Sequence, residues 1–233
     1  MGAVMTPTAI ITGGSRGLGR ALAESLVTSG WHVIIDGRDP RAVAEAAGAA
    51  GAQGLPGDVT DPTHRHDLVE AARTTGRLDL LVNNASTLGA SPLPHLGDLA
   101  LDVVERIHRV NVVAPLGLIQ GSLPLLTVSS GAVVNITSDA AVEGYEGWGG
   151  YGSSKAALEQ LSNVLAAEEP QLRVWWLDPG DMRTQMHQDA FPGEDISDRP
   201  DPEGVVPAFE TLLRQRPASG RFRAADLVAG ETS

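Results

Sequence analysis

The 233-residue chain predicts an α/β fold: a doubly wound parallel sheet with helices on both faces, three layers α/β/α, in a single domain over residues 1–233. Three observations predict it. Short β-rich runs alternate with segments of helical periodicity. The runs are nearly continuous in apolar residues, as in Leu80-Leu81-Val82 and Ala132-Val133-Val134, which suits strands covered on both faces. The first run passes through a glycine cluster into a helix, and no internal repeat or low-complexity tract breaks the alternation.

In order, Thr8–Thr12 reads as a buried strand, Gly17–Ser29 as a helix, His32–Asp36 as a strand and Pro40–Ala50 as an alanine-rich helix. The pattern continues with a strand over Gln53–Gly57, a helix over Pro62–Thr75, a strand over Leu78–Asn83 and a long helix from Asp98 to Leu116. Then come the strand Gly131–Ser138, the helix Tyr151–Glu169 and the strand Leu172–Asp178. Gln185–Pro202, with its prolines and acidic residues, reads as an irregular, exposed flap. A helix over Pro202–Arg216 and an edge strand near Arg221–Ala225 close the domain.

Composition narrows the function. A formal charge of −12 opposes binding to a nucleic acid, because a polyanion is repelled. The absence of cysteine excludes disulfides and thiolate metal sites, and no ligand spacing for a metal is apparent. Met1–Pro7 is shorter than a signal peptide, and no apolar run reaches the length of a membrane span. The expectation is a cytoplasmic protein with no membrane or nucleic-acid partner.

The glycine cluster is Thr12-Gly13-Gly14-Ser15-Arg16-Gly17-Leu18-Gly19. Glycines admit a tight turn and close approach of a pyrophosphate, and the helix that follows offers free N–H donors with a partial positive charge. The preceding strand and the following helix are the context such a motif needs. Further on, Tyr151 and Lys155 lie one helical turn apart on one face. A phenol near its usual pKa of about 10 is a weak base at neutral pH, and an adjacent ammonium is expected to lower it.

These residues, with Ser138 at the preceding strand end and Asn111 in the long helix, match in order and approximate spacing the Asn-Ser-Tyr-Lys tetrad of the short-chain dehydrogenase/reductase family, which the chain resembles. The glycine spacing, Asp58-Val59, Asn83-Asn84-Ala85 and the run Pro179-Gly180-Asp181-Met182-Arg183-Thr184 add to the resemblance, which covers about Thr8 to Thr184. Two positions depart from the family pattern: Ser86 stands where glycine is usual, and Trp175-Trp176 where smaller or polar residues are usual.

The resemblance implies a Rossmann-type fold and an oxidoreductase that moves a hydride between NADP(H) and a small or medium carbonyl or alcohol. Tyr151 would pass the proton, Ser138 would hydrogen-bond the reacting oxygen, Lys155 would tune the phenol and bind the nicotinamide ribose, and Asn111 would hold a relay water. The implied cofactor-binding residues are Gly13, Ser15, Arg16, Gly17, Leu18, Gly19, Arg38, Asp58, Val59, Asn84, Ala85, Ser86, Tyr151, Lys155, Pro179, Gly180, Met182 and Thr184.

Arg16 and Arg38 favour NADP, since two guanidinium groups can clamp a 2′-phosphate. The alternative is NAD(H), with Asp36 on the ribose hydroxyls. Candidate substrate-lining residues are Val142, Trp148, Met186, His187 and Phe191, although a histidine in a polar flap is more often a plain surface residue. The family's habit implies a homodimer or homotetramer through the helices carrying Asn111 and Tyr151. Small residues at Gly152, Ser153, Ala156 and Ala157 would allow that approach, or equally pack on the chain's own sheet. Other readings are a catalytically silent dinucleotide-binding regulator and an epimerase or dehydratase on a related scaffold.

Overall fold

A computed structural model describes residues 6–229; the remaining positions of the domain expected over 1–233 lie outside the described residues. Seven parallel strands form one sheet: β1 (Thr8–Ile11), β2 (His32–Gly37), β3 (Gln53–Pro56), β4 (Leu80–Asn83), β5 (Ala132–Ile136), β6 (Arg173–Asp178) and β7 (Gly220–Arg223). Their order is β3-β2-β1-β4-β5-β6-β7. The winding reverses between β1 and β4, whose register pairs Ile11 with Val82. In such sheets the crevice beyond the strand ends at this reversal is where ligands bind.

The strands alternate their side chains between two cores, as a period of two requires. Ala9, Ile11, Leu80 and Val82 face a core completed by Leu18, Leu22 and Leu26 of α1 (Gly17–Thr28) and by Phe209 and Leu212 of α8 (Val206–Gln215). Ile10, Leu81 and Val133 face the other, with Leu68 of α3 (Pro62–Thr74), Leu118 of α5 (Ala114–Ser129) and Leu165 of α6 (Gly149–Glu168). Trp175 is fully buried in the first core and donates its indole N–H to the Pro217 carbonyl at 3.2 Å, so this residue packs the interior.

The helices α2 (Pro40–Ala50) and α3 begin with aspartate caps. Asp39 caps α2 by accepting from the N–H groups of Arg41 and Ala42, and Asp61 caps α3 by accepting from that of Thr63. Each has proline in its first turn, where the ring removes a donor that would otherwise go unpaired. The start of α1 differs: Arg16 occupies the cap position and no side chain caps the helix.

Four expectations change. The long helix does not end near Leu116. α4 (Leu101–His108) runs through a π-helical turn, Arg109–Val113, into α5, giving a helical stretch of 29 residues. By length and composition that stretch is apolar enough to cross a membrane, contrary to the expectation that no run would be; Ile107, Ala114, Leu118 and Leu126 along it are buried in this fold. The flap is not irregular throughout, because Gln185–Ala190 forms the short helix α7, capped by Thr184, which accepts from the His187 N–H at 3.2 Å. A last helix, α9 (Ala224–Ala229), follows β7.

Candidate active site

The glycine turn owes its shape to positions where nothing larger fits. Gly13 and Gly17 have positive φ, 65° and 53°, the left-handed region that glycine enters without cost. A side chain at Gly19 would lie 2.5 Å from both the Asn84 side chain and the Gly13 carbonyl oxygen. Across the crevice, a side chain at Gly17 would meet Thr184 at 3.5 Å, so the turn after β1 and the loop after β6 face each other. The uncapped first turn of α1 opens between them. Its free N–H groups, narrow walls and partial positive charge fit a pyrophosphate.

Asp36 is not free to hold a ribose. It is 1% exposed, one carboxylate oxygen accepts from the Gly13 N–H at 2.7 Å, and the other lies 3.0 Å from Nε2 of the buried His64. Gly37, the position beyond it, has no carboxylate to take its place; a Cβ there would meet the Ser15 hydroxyl at 2.8 Å, a contact that rotation of the serine relieves. Arg16 and Arg38 are exposed around this point. Asp58 is the nearby carboxylate with a shifted affinity. Partial burial pushes it up, but hydrogen bonds from the Thr60 backbone and hydroxyl, with the charges of Arg38 and His64, leave it below the usual range. The neighbouring Val59 carbonyl accepts from Arg65 at 2.6 Å.

The end of β4 is tied to the glycine turn by Thr12, a residue the motif reading passed over. Its hydroxyl accepts from the N–H groups of Asn84 and Ala85, both at 3.0 Å, and Asn84 donates its amide to the Thr12 carbonyl at 2.8 Å. Of the other cofactor candidates, Leu18 buries its side chain in the core and offers only backbone. Gly180 donates its N–H to Asp178 at 3.0 Å, and Met182 packs against the first core.

The four tetrad positions meet at the carboxyl edge of β5 and the start of α6. Gly152 sets the spacing, since a side chain there would strike the Ala140 carbonyl oxygen at 2.5 Å. Of the small residues expected on this helix, Gly152 therefore packs within the chain, against the 3-10 turn Asp139–Ala141 that follows Ser138. Tyr151 is buried against Ala140, in the turn that Ser138 caps. Lys155 is 2% exposed, donates to the Ile136 carbonyl at 2.7 Å, and holds its Nζ 5.4 Å from the centre of the Tyr151 ring.

The expected lowering of the phenol by the ammonium is not found. Burial drives Tyr151 above its ordinary value, helped by the Asp178 and Asp139 carboxylates, while Ser86 and Ser138 pull it back. Burial likewise lowers Lys155 to about 7. The physical reason is shared: each group loses water, so each disfavours its charged form. As the site stands, the tyrosine is a proton-loaded acid beside an amine able to take or give a proton near neutrality.

Asn111 sits in the π-helical turn. Its Oδ1 accepts from the Thr87 N–H at 2.9 Å, and its Nδ2 donates to the Thr87 carbonyl at 3.0 Å and to Ser154 Oγ at 2.9 Å. Both amide hydrogens and one lone pair are thus spent clamping the loop after β4 to α6.

Further residues that sequence reasoning did not single out complete the support. Arg221 of β7 donates to Glu159 at 2.9 Å, to the Ser138 carbonyl at 3.1 Å and to Asp178 at 3.2 Å, and Glu159 accepts from Thr137 at 2.7 Å. A buried chain from Asn83 through Asn135 to Ser162 links β4, β5 and α6.

Beside the phenol lies an aromatic wall. Trp148 packs edge-on to Tyr151 at 5.6 Å and 6.0 Å from Phe191, which is 5.0 Å from His187. Met186 joins the same apolar cluster. Val142 does not; it is 61% exposed. His187 is buried, and its Nε2 has no hydrogen-bond partner among the described residues, so the reading of it as a surface residue does not hold.

Comparison with known proteins identifies relatives of the whole fold. The family model for short chain dehydrogenases matches residues 7–195. Short chain dehydrogenase asqE of Emericella nidulans is 38% identical over 173 residues, 69% of this chain and 64% of that protein, so the match spans under two thirds of that relative's length. Benzil reductase ((S)-benzoin forming) IRC24 of Saccharomyces cerevisiae is 32% identical, over 85% of this chain and 78% of that one. The solved structure of a short chain dehydrogenase from Shigella flexneri 2a str. 301 complexed with NADP aligns with a TM-score of 0.87 at 30% identity, covering 94% of this chain and 97% of that one.

Proposed function

The chain belongs to the short-chain dehydrogenase/reductase family, and from that premise we propose that it is an NADPH-dependent carbonyl reductase with Tyr151 as its acid. The carrying observation is the convergence of Tyr151, Ser138 and Lys155 beyond β5, in the crevice that also holds the glycine turn. When bound, the reduced nicotinamide supplies a hydride to the carbonyl carbon. Tyr151 gives its proton to the carbonyl oxygen, breaking the phenolic O–H bond as the product O–H bond forms. Ser138 donates a hydrogen bond to that oxygen while charge builds on it. Lys155 returns a proton to the phenolate. Burial, which holds the phenol in its protonated form, suits Tyr151 to begin the reduction as the proton donor.

NADP(H) rather than NAD(H) follows from the engagement of Asp36, a glycine rather than an acid at position 37 and the exposed Arg16 and Arg38. The relative solved with NADP adds support. Trp148 and Phe191 beside Tyr151 favour a carbonyl attached to a flat aromatic group, which stacks on such a wall better than an alkyl chain does. That a relative is a benzil reductase points the same way. We also propose a homo-oligomer through α6 and the long helical stretch that carries Asn111, which leave exposed Val164 of α6, Val113 of the π-helical turn and Val128 of α5.

The test is a panel of aryl and alkyl ketones, aldehydes and alcohols followed by nicotinamide absorbance with NADPH and with NADH. Turnover of aryl ketones with NADPH preferred at least about tenfold is expected, from one charge-assisted contact to the 2′-phosphate. A clear NADH preference overturns the cofactor assignment, and no turnover with any carbonyl overturns the reading.

A further inference from the structure

Three consecutive residues at the end of β5 are each held by a charged side chain from elsewhere in the chain. Lys155 donates to the Ile136 carbonyl at 2.7 Å, Glu159 accepts from the Thr137 hydroxyl at 2.7 Å, and Arg221 donates to the Ser138 carbonyl at 3.1 Å. The first two come from α6, where Glu159 lies one turn beyond Lys155. The third comes from β7, the last strand of the sheet. Phe222 packs against the first core, so Arg221 beside it points to the opposite face, where α6 lies.

The guanidinium works as a fork. Its Nε donates to Glu159 at 2.9 Å, and its Nη2 donates to the Ser138 carbonyl and, at 3.2 Å, to Asp178 Oδ2. The other oxygen of Asp178 accepts from the Gly180 N–H at 3.0 Å. One arginine thus joins the serine after β5, the helix of Tyr151 and Lys155, and the loop after β6 that faces the glycine turn. The Ser138 hydroxyl is tied within its own turn, bonded to Asp139 at 2.9 Å and accepting from the Ala140 N–H at 3.2 Å. Where it sits therefore follows the backbone that Arg221 holds.

We propose that Arg221 is a positioning residue of the active site, which sets the Ser138 hydroxyl against the reacting oxygen and keeps the loop after β6 in register with it. The inference rests on the reductase reading above. Arg221 does not touch the reacting atoms; it acts through the Ser138 carbonyl and the Asp178 carboxylate. A misplacement of about 1 Å at such a site costs up to about 10²-fold in rate. The charge of the arginine has a second consequence. Glu159 and Asp178 are largely buried, and Arg221 is the cation that lies against both. Without it Asp178 is uncompensated, and that carboxylate already pushes the Tyr151 phenol toward its protonated form. The other charged groups facing the phenol, Asp139 and Lys155, stay in place.

The test uses the full chain with NADP(H) and compares wild type with Arg221→Lys, which keeps the charge but loses the fork, and Arg221→Met, which loses both. Circular dichroism checks that each is folded. Alcohol oxidation needs the phenolate, so the acid limb of its pH profile reports Tyr151. Both variants are expected to lower kcat for ketone reduction about 10–100-fold while the ketone KM stays within about threefold. Arg221→Met is also expected to move the acid limb upward by about one pH unit, and Arg221→Lys to leave it where wild type has it. An unchanged kcat in either folded variant overturns the proposal and leaves the reductase reading intact. So does an unmoved limb in Arg221→Met. If Arg221→Met does not fold, the split between kcat and KM in Arg221→Lys decides. Failure of both to fold also overturns the proposal, because the arginine then serves the fold as a whole. An inactive wild type overturns both readings.

Discussion

The two sides of the crevice reach function by different physics. On the nucleotide side, β1 to α3, the site is made of backbone: uncapped N–H groups on α1, positive-φ glycines, and positions such as Gly14 and Gly19 where an added methyl group has no room. On the catalytic side, beyond β5, the site is made of side chains whose behaviour is set by burial, as with the raised Tyr151 and the lowered Lys155. Backbone sites tolerate little change of shape, whereas side-chain sites are tuned by neighbours distant in sequence. Arg221, from the last strand, ties Ser138 and Asp178 together across the sheet end.

Substitutions on each side sharpen that contrast. The largest effect is expected from Tyr151→Phe, which removes the transferred proton and keeps the ring packed on Trp148. Loss of about 10²–10⁴-fold in kcat, with NADPH binding unchanged by fluorescence titration, is the expected result; comparable losses in binding would mean the phenol is structural.

Next comes Arg38→Ala, for which kcat/KM with NADPH should fall about 10–100-fold while the NADH value stays within about twofold, as expected for one charge-assisted contact. Equal losses with both nucleotides would break the assignment of Arg38 to the 2′-phosphate.

Gly152→Ala tests the close packing beneath the catalytic side. The new methyl group meets the Ala140 carbonyl oxygen at 2.5 Å, so urea denaturation should show a loss of about 1–3 kcal/mol. Gly48→Ala in α2, where nothing lies within 4 Å, is the matched control, with a gain of about 0.5–1 kcal/mol expected. Similar changes at both positions would show that the contact does not matter.

The smallest effect is pH-linked. Lys155 has a folded value of about 7 against an ordinary 10.5, so between these the folded chain holds fewer protons than the unfolded one, and this group makes stability rise with pH. Tyr151, shifted the other way, opposes that only above its ordinary 10.0. Lys155→Met should therefore exceed wild type in Tm most at or below pH 7, the margin shrinking toward pH 9.5. A margin constant with pH would mean that the lysine is not desolvated.

Much of the nucleotide side is legible in the sequence, because glycines needed for shape, prolines at N1 and aspartate caps act locally. The tetrad positions follow from motifs of the same local kind, whereas the strand order is seen only in the structure. What is not legible depends on tertiary placement. Asp36 reads as a ribose ligand until Gly13 and His64 are seen to occupy both oxygens. The clamp that Asn111 makes between Thr87 and Ser154 is likewise invisible in the sequence. The pairing of Tyr151 with Lys155 is plain from spacing alone, yet its electrostatics are not, since desolvation by the whole fold outweighs one neighbouring charge. α7 escaped notice because six residues carry too little periodicity to separate from a loop.

The central claim is that a buried, proton-loaded tyrosine completes a hydride transfer to a carbonyl carbon. The most direct measurement incubates the protein with an aryl ketone and NADPH carrying deuterium at the transferable position of its nicotinamide, then weighs the product by mass spectrometry. Wild type is expected to give the alcohol with one deuterium on the carbinol carbon, and Tyr151→Phe to give almost none. Alcohol formed without the label, or labelled alcohol formed equally by both proteins, would contradict the account.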